Sequence, residues 1–289
     1  MTTYQTLISA VQLADALDAA PPGRLLVLDC GFDLGDPQAG RRAFESGHIP
    51  GARYIHLEDT LSAPKNGRNG RHPLPEPDAF VRALALLGAS RDTQVVAYDN
   101  AGGMYASRLW WMLRWVGHDA VAVLDGGLAA WKATGLPVTQ DEQPVAMAGD
   151  LQRRASLVGT VDYEAVRANL DSQERLVIDA RAPDRFRGEN ETIDPVGGHI
   201  PGARNRLFRD NLGADGTFKP ASQLCDEFRA LMGDRRPDQL VSQCGSGVTA
   251  CHNLLALEIA GLSGAALYPG SWSEWCAQPG ARIATGATS

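Results

Sequence analysis

The sequence predicts an α/β protein made of two tandem domains, each a mostly parallel sheet flanked by helices on both faces. Three observations predict it. The 289 residues exceed one ordinary core and suit two domains of roughly 100–150 residues each. Four landmarks recur in the same order in the two halves. Within each half, short apolar runs alternate with helical stretches.

The repeat is the strongest of the three. Gly-His-Ile-Pro-Gly-Ala occurs at 47–52 and again at 198–203, an offset of 151. Leu-Val-Leu-Asp at 26–29 parallels Leu-Val-Ile-Asp at 176–179, offset 150, and 95–99 parallels 240–244, offset 145. Residues 126–131 and 270–275 each run from a glycine to a tryptophan, offset 144. Four ordered matches at nearly one spacing mark a duplicated domain.

The elements follow in order. Apolar runs at 25–28, 95–97 and 120–124 have the length and β-branched content of buried parallel strands. Amphipathic helical stretches are expected at 7–17, 78–87 and 105–116 in the first half, and at 162–170, 223–231 and 249–260 in the second. Strands alternating with helices give a parallel sheet covered on both faces. From 135 to 156 the apolar periodicity lapses and Pro, Gln and charge gather, as in a linker. The boundaries therefore fall at 1–140 for the first domain, 141–156 for the linker and 157–289 for the second domain. The Lys-Asn-Gly-Arg-Asn-Gly stretch at 65–70 reads as an exposed loop inside the first domain.

Composition narrows the function. Hydrophobic residues at 44% and charged residues at 21% describe an ordinary folded chain. The formal charge of −7 and the lack of a Lys/Arg run argue against a nucleic-acid partner. No stretch approaches the ~18 apolar residues of a membrane span, and the N-terminal segment does not read as a signal peptide. Five cysteines without a CxxC pair suggest neither zinc nor a dithiol centre, so no metal or cofactor is expected; they fit a reducing, cytoplasmic setting.

One cysteine stands apart. Cys244 directly follows an apolar strand and precedes Gly245-Ser246-Gly247-Val248-Thr249, where a helix begins. At the carboxyl end of a parallel strand such a loop can turn its amides toward the sulfur. Gly245 and Gly247 are expected to supply the unusual φ values of that nest, and the helix adds the positive end of its dipole. Both effects favour a thiolate and would stabilise a persulfide. Cys251 and Cys276 lack this setting and read as packing residues. A cysteine phosphatase would need an arginine six positions after the cysteine to clamp phosphate; here that residue is Ala250.

Taken together, the duplication, the two Gly-His-Ile-Pro-Gly-Ala motifs, Cys-Gly-Ser-Gly-Val-Thr-Ala at 244–250, and the paired Asp-Gly-Gly-Leu-Ala-Ala-Trp and Pro-Gly-Ser-Trp-Ser-Glu-Trp segments resemble the tandem-domain rhodaneses. The resemblance implies two rhodanese-like domains, the second catalytic and the first without its cysteine; Asp99 stands at the position of Cys244. It implies a sulfurtransferase that takes sulfur from 3-mercaptopyruvate or thiosulfate and passes it to cyanide or a thiol. The neutral loop resembles that of the mercaptopyruvate type, since thiosulfate enzymes carry basic residues there. Ser246, His72 and Asp59 match the serine, histidine and aspartate of a proton relay in that type, with His72 and Asp59 reaching an interdomain cleft from the first domain. Alternatively His72 is a surface loop residue. Arg185 matches the arginine that holds the donor's anionic group. A second arginine nine residues later is replaced here by Asp194, as in thiosulfate-type members, so loop and flank point to different donors and the reading follows the loop. A noncatalytic sulfur-carrier or regulatory module is the rival from another class.

Overall fold

The computed structural model describes residues 2–145 and 147–287. Their contacts divide into two units. One comprises the chain up to Ala63 with Leu74–Leu157 and Ala214–Phe218, and the other comprises Pro64–Pro73, Val158–Gly213 and the chain from Lys219 onward.

The first unit holds β1 (Leu7–Ile8), α1 (Ala10–Ala19), β2 (Leu25–Asp29), α2 (Ala39–Ser46), β3 (Arg53–Tyr54), α3 (Pro77–Leu86), β4 (Gln94–Tyr98), α4 (Ala106–Trp115), β5 (Val121–Leu124) and α5 (Gly127–Ala133). Its sheet runs β1-β5-β4-β2-β3, and every pairing is parallel. The central register sets Leu25 opposite Gln94 and Asp29 opposite Tyr98. The second unit repeats the pattern with β6 (Gly159–Thr160), α6 (Tyr163–Ser172), β7 (Leu176–Asp179), α7 (Pro183–Arg187), β8 (Arg204–Asn205), α8 (Ala221–Met232), β9 (Leu240–Gln243), α9 (Thr249–Ile259), β10 (Ala266–Leu267) and α10 (Ser271–Trp275). Its order, β6-β10-β9-β7-β8, is the same order again, also parallel throughout. The duplicated α/β fold expected from the repeat is therefore present strand for strand.

Each sheet feeds its own core. Val27, Val96, Tyr98 and Leu124 pack with Leu13 of α1, Phe44 of α2 and Trp131 of α5. Val177, Val241 and Tyr268 pack with Val166 of α6, Phe186 of α7 and Trp272 and Trp275 of α10. The repeated hexapeptide explains itself here. His48 stacks on Phe44 at 3.8 Å between ring centroids, with Nδ1 2.8 Å from the Phe44 carbonyl; His199 does the same with Phe186. Each histidine also bridges an antiparallel partner, Thr139 or Ala284. The motif closes the end of a helix in both copies and carries no reactive group.

Four expectations need correction. The helix expected at 7–17 starts later: Leu7 and Ile8 form an edge strand beside Val123 and Leu124. Ser9 then opens the helix, its Oγ accepting the Gln12 N–H while the Gln12 side chain accepts the Ser9 N–H. The stretch read as a linker is not a free spacer, because the N–H groups of Gly149, Leu151 and Arg154 donate to the carbonyls of Ala85, Ala89 and Val116. The loop at 64–73 groups with the second unit: the Arg71 N–H donates to Ser273 Oγ, and Gln278 donates to the Arg68 carbonyl. Finally, α4 and α9 are buried nearly all round, over 106–113 and 250–257, instead of along one stripe.

Candidate active site

β9 lies third of five in its sheet, so the residue after it emerges at the middle of the carboxyl edge, where α/β proteins bind ligands. That residue is Cys244. Its Sγ accepts the N–H groups of Ser246 at 3.4 Å and Gly247 at 3.1 Å, and α9 begins at Thr249 after the Val248 cap. The side chain is only 2% exposed, yet it faces backbone donors, which makes this a nest and not an apolar burial. The cysteine's own N–H is held by Ser271 Oγ at 3.1 Å, and that hydroxyl donates to the Tyr268 carbonyl. Ser271 pays for this post with a left-handed φ of 54°, a conformation that costs a non-glycine residue about 1–2 kcal/mol. The N–H groups of Trp272 and Ser273 then take the carbonyls of Cys244 and Gly245. Sequence reasoning missed Ser271; the signal was its place opposite Gly127 in the repeat, where φ is +58°.

The two loop glycines serve different ends. Gly247 has φ +76°, and a Cβ there would lie 2.3 Å from the Pro269 carbonyl oxygen. Gly245 is not in the left-handed region, contrary to the expectation that both supply unusual φ. Its need is space, because a Cβ would lie 2.8 Å from Arg71 Nη2 and 3.7–3.8 Å from the Arg185 guanidinium. Two arginines thus border the residue that follows the cysteine.

Those arginines are fixed by acids. Arg185 Nε and Nη2 bind Glu191, and Nη2 also binds Asp194 Oδ2 at 3.0 Å. Asp194 Oδ1 receives Arg71 Nη1 at 2.5 Å. Alone, a carboxylate at 194 would repel an anionic donor; here its charge is balanced between two guanidiniums. Behind them, Arg181 is buried against Asp179 and the Gly198 carbonyl and lies 4.5 Å above the Trp272 ring. Burial pulls its pKa down, but the charge and hydrogen bonds of Asp179, together with the charges of Glu191 and Asp194, raise it above the usual guanidinium value.

Ser246 Oγ lies 2.8 Å from His72 Nδ1, and both residues are buried. His72 is thus not a surface loop residue; by its packing it also belongs to the second unit, although its place in the chain suggested the first. Asp59 lies in the first unit, largely exposed, with Oδ2 3.3 Å from His56 Nδ1. Among the described residues no cluster of three or more His, Cys, Asp or Glu is arranged to hold a metal ion.

In the first unit the matching loop holds a carboxylate. Asp99 accepts four N–H groups, from Ala101, Gly103, Tyr105 and Ala106, at 2.8–2.9 Å. The same strand end and helix start build an anion nest in both copies, and only one of them holds sulfur.

Comparison with known proteins shows the family to which the chain belongs. The Rhodanese-like domain family matches residues 9–134 and 162–278. A probable 3-mercaptopyruvate sulfurtransferase of Pseudomonas aeruginosa is 50% identical over 282 residues, covering 97% of this chain and 98% of that protein. A thiosulfate sulfurtransferase of Cricetulus griseus is 36% identical over 301 residues, covering 98% and 96%. Among solved structures, SseA of Escherichia coli, described as a 3-mercaptopyruvate sulfotransferase, superimposes with a TM-score of 0.78 at 31% identity, covering 94% of this chain and 99% of that one.

Proposed function

We propose, since the chain belongs to the rhodanese family and is a sulfurtransferase, that Cys244 carries the sulfur as a persulfide and takes it from 3-mercaptopyruvate. The observation that carries the reading is the pair of N–H groups aimed at Cys244 Sγ, with Ser246 at once a loop amide and the partner of His72. The thiolate attacks the donor sulfur, the carbon–sulfur bond breaks, and the enolate of pyruvate leaves. That carbanion needs a proton, and the donor thiol has one to give, which passes by way of Ser246 and His72 in this reading. In the second half-reaction cyanide or a thiol attacks the outer sulfur and Cys244 departs as thiolate. Asp59 enters this relay by family resemblance.

The Ser246–His72 pair favours mercaptopyruvate over thiosulfate, because sulfite leaves without protonation at carbon and would leave the pair idle. Position 194 favours the thiosulfate reading, and the ratio of kcat/KM for the two donors decides between them. Cys244→Ser should abolish turnover with either donor while the fold persists. Incubation of the native chain with donor should add about 32 Da at Cys244; a noncatalytic binding module would show no such mass. Five cysteines free of disulfides suit a reducing compartment such as the cytoplasm. Among the described residues no helix is long and apolar enough to cross a membrane.

A further inference from the structure

We propose that Arg71 is a second anion-binding residue of the sulfur-donor site, acting beside Arg185 and setting its preference for negatively charged donors. The proposal deepens the reading of Cys244 as sulfur carrier and rests on it. Its ground is a juxtaposition: Arg71 Nη2 and the Arg185 guanidinium converge on the space that a side chain at position 245 would fill, one residue from the reacting sulfur.

Arg71 is held there from two sides. Its N–H donates to Ser273 Oγ at 2.9 Å, and its Nη1 binds Asp194 at 2.5 Å. Because the other oxygen of Asp194 binds Arg185, one carboxylate pins both guanidiniums at a fixed separation. Arg71 Nε is buried and has no hydrogen-bond partner among the described residues. An arginine turns up to five N–H donors toward oxygen, so a guanidinium with Nη1 on Asp194, Nε unpaired and Nη2 beside Gly245 still has donors to offer another acceptor. A carboxylate or sulfonate suits that planar fork. Position 194, which lacks the second arginine of the mercaptopyruvate type, thus brings in a guanidinium from the 64–73 loop instead of supplying its own.

The test uses two thiol reagents of equal chemistry and different charge on the full-length chain. Neutral methyl methanethiosulfonate and anionic 2-sulfonatoethyl methanethiosulfonate both react by attack of the thiolate on the sulfenyl sulfur, with loss of methanesulfinate and formation of a mixed disulfide. Rates are read at the Cys244 peptide by mass spectrometry. Arg71→Met should slow the anionic reagent about tenfold, as expected for losing one charge-assisted hydrogen bond, and leave the neutral rate within about twofold. The same variant should raise the KM for 3-mercaptopyruvate about tenfold with kcat nearly unchanged. Arg71→Met/Asp194→Arg, which moves the charge to position 194, should regain most of both losses. An unchanged charge ratio in Arg71→Met would overturn the proposal. So would an equal loss of both rates with a lower melting temperature, the pattern of a merely structural ion pair. These reagents need no turnover: a native chain that accepted neither sulfur donor would end the functional reading, while the charge ratio would still decide Arg71.

Discussion

The loop after Cys244 shows how two identical residues can be required for unlike reasons, and substitution separates them. Gly245→Ala places a methyl against Arg71 Nη2, which can yield only by straining its ion pair with Asp194, so stability should fall by about 1 kcal/mol. The displaced guanidinium should raise the KM for an anionic donor, read in steady-state kinetics. Gly247→Ala meets the rigid Pro269 carbonyl at a left-handed φ and should cost about 2–4 kcal/mol, seen in thermal or urea melts. The cysteines divide in the same residue-by-residue way. Burial, then the charges of Asp99 and Asp29, pushes the Cys30 thiol far up, and burial pushes Cys276 to about 11. Neither faces a nest of amides as Cys244 does. Limited iodoacetamide at neutral pH should therefore alkylate Cys244 ahead of Cys30 and Cys276, and peptide mapping checks the order.

Corresponding strands carry the same carboxylate with different partners, and this has a pH signature. At the end of β7, Asp179 is paired with Arg181 two residues on; at the end of β2, Asp29 has Gly31 there instead. Burial raises the Asp29 pKa from its ordinary 3.8 to about 6, although the Gly31 N–H and Tyr98 hold it back. An acid whose folded pKa is raised keeps its proton more tightly in the folded chain. Its contribution to stability is therefore greatest below pH 3.8 and declines as pH rises to about 6, by an amount on the order of 3 kcal/mol. Asp29→Asn removes this decline, so its melting temperature relative to native should be higher at pH 7.5 than at pH 4.5. Differential scanning calorimetry at the two pH values tests the sign. The same comparison of elements shows what sequence could reveal. Strands of four or five residues such as β2, β4 and β9, and helices of ten or more, carry enough periodicity to be read. A two-residue edge strand such as Leu7–Ile8 carries none, because hydrogen bonds to Val123 and Leu124 define it. Arg71 was hidden for a related reason: its partner Asp194 lies 123 positions away, and no local pattern announces an ion pair of that span. Cys244, by contrast, was legible because a strand, a glycine-rich turn and a helix start are contiguous in the chain.

The duplicated chain keeps one architecture twice and gives it two different occupants. Both sheets share one strand order, and both central strands end in a nest, one around Cys244 Sγ and the other around the Asp99 carboxylate. The Asp99 nest is the more generous, with four N–H groups against two on Cys244 Sγ, so a nest cannot by itself make a copy catalytic. What surrounds Cys244 is further chemistry, part of it brought by the 64–73 loop: the Ser246–His72 pair and the arginines beside Gly245. In the first copy the repeat places Gly35 where Arg185 stands in the second, at the offset of 150 fixed by the two strand aspartates. Asp99→Cys in a Cys244→Ser background separates the two contributions, since Cys is close to Asp in volume and inherits its donors. Such a thiol should alkylate at a pH well below the roughly 8.5 of free cysteine, yet gain no persulfide from 3-mercaptopyruvate and restore no turnover. A pH profile of alkylation together with intact-mass analysis after donor treatment reads both halves. Restored sulfur transfer at position 99 would mean that the backbone nest alone makes the enzyme and that the arginines and the relay are dispensable.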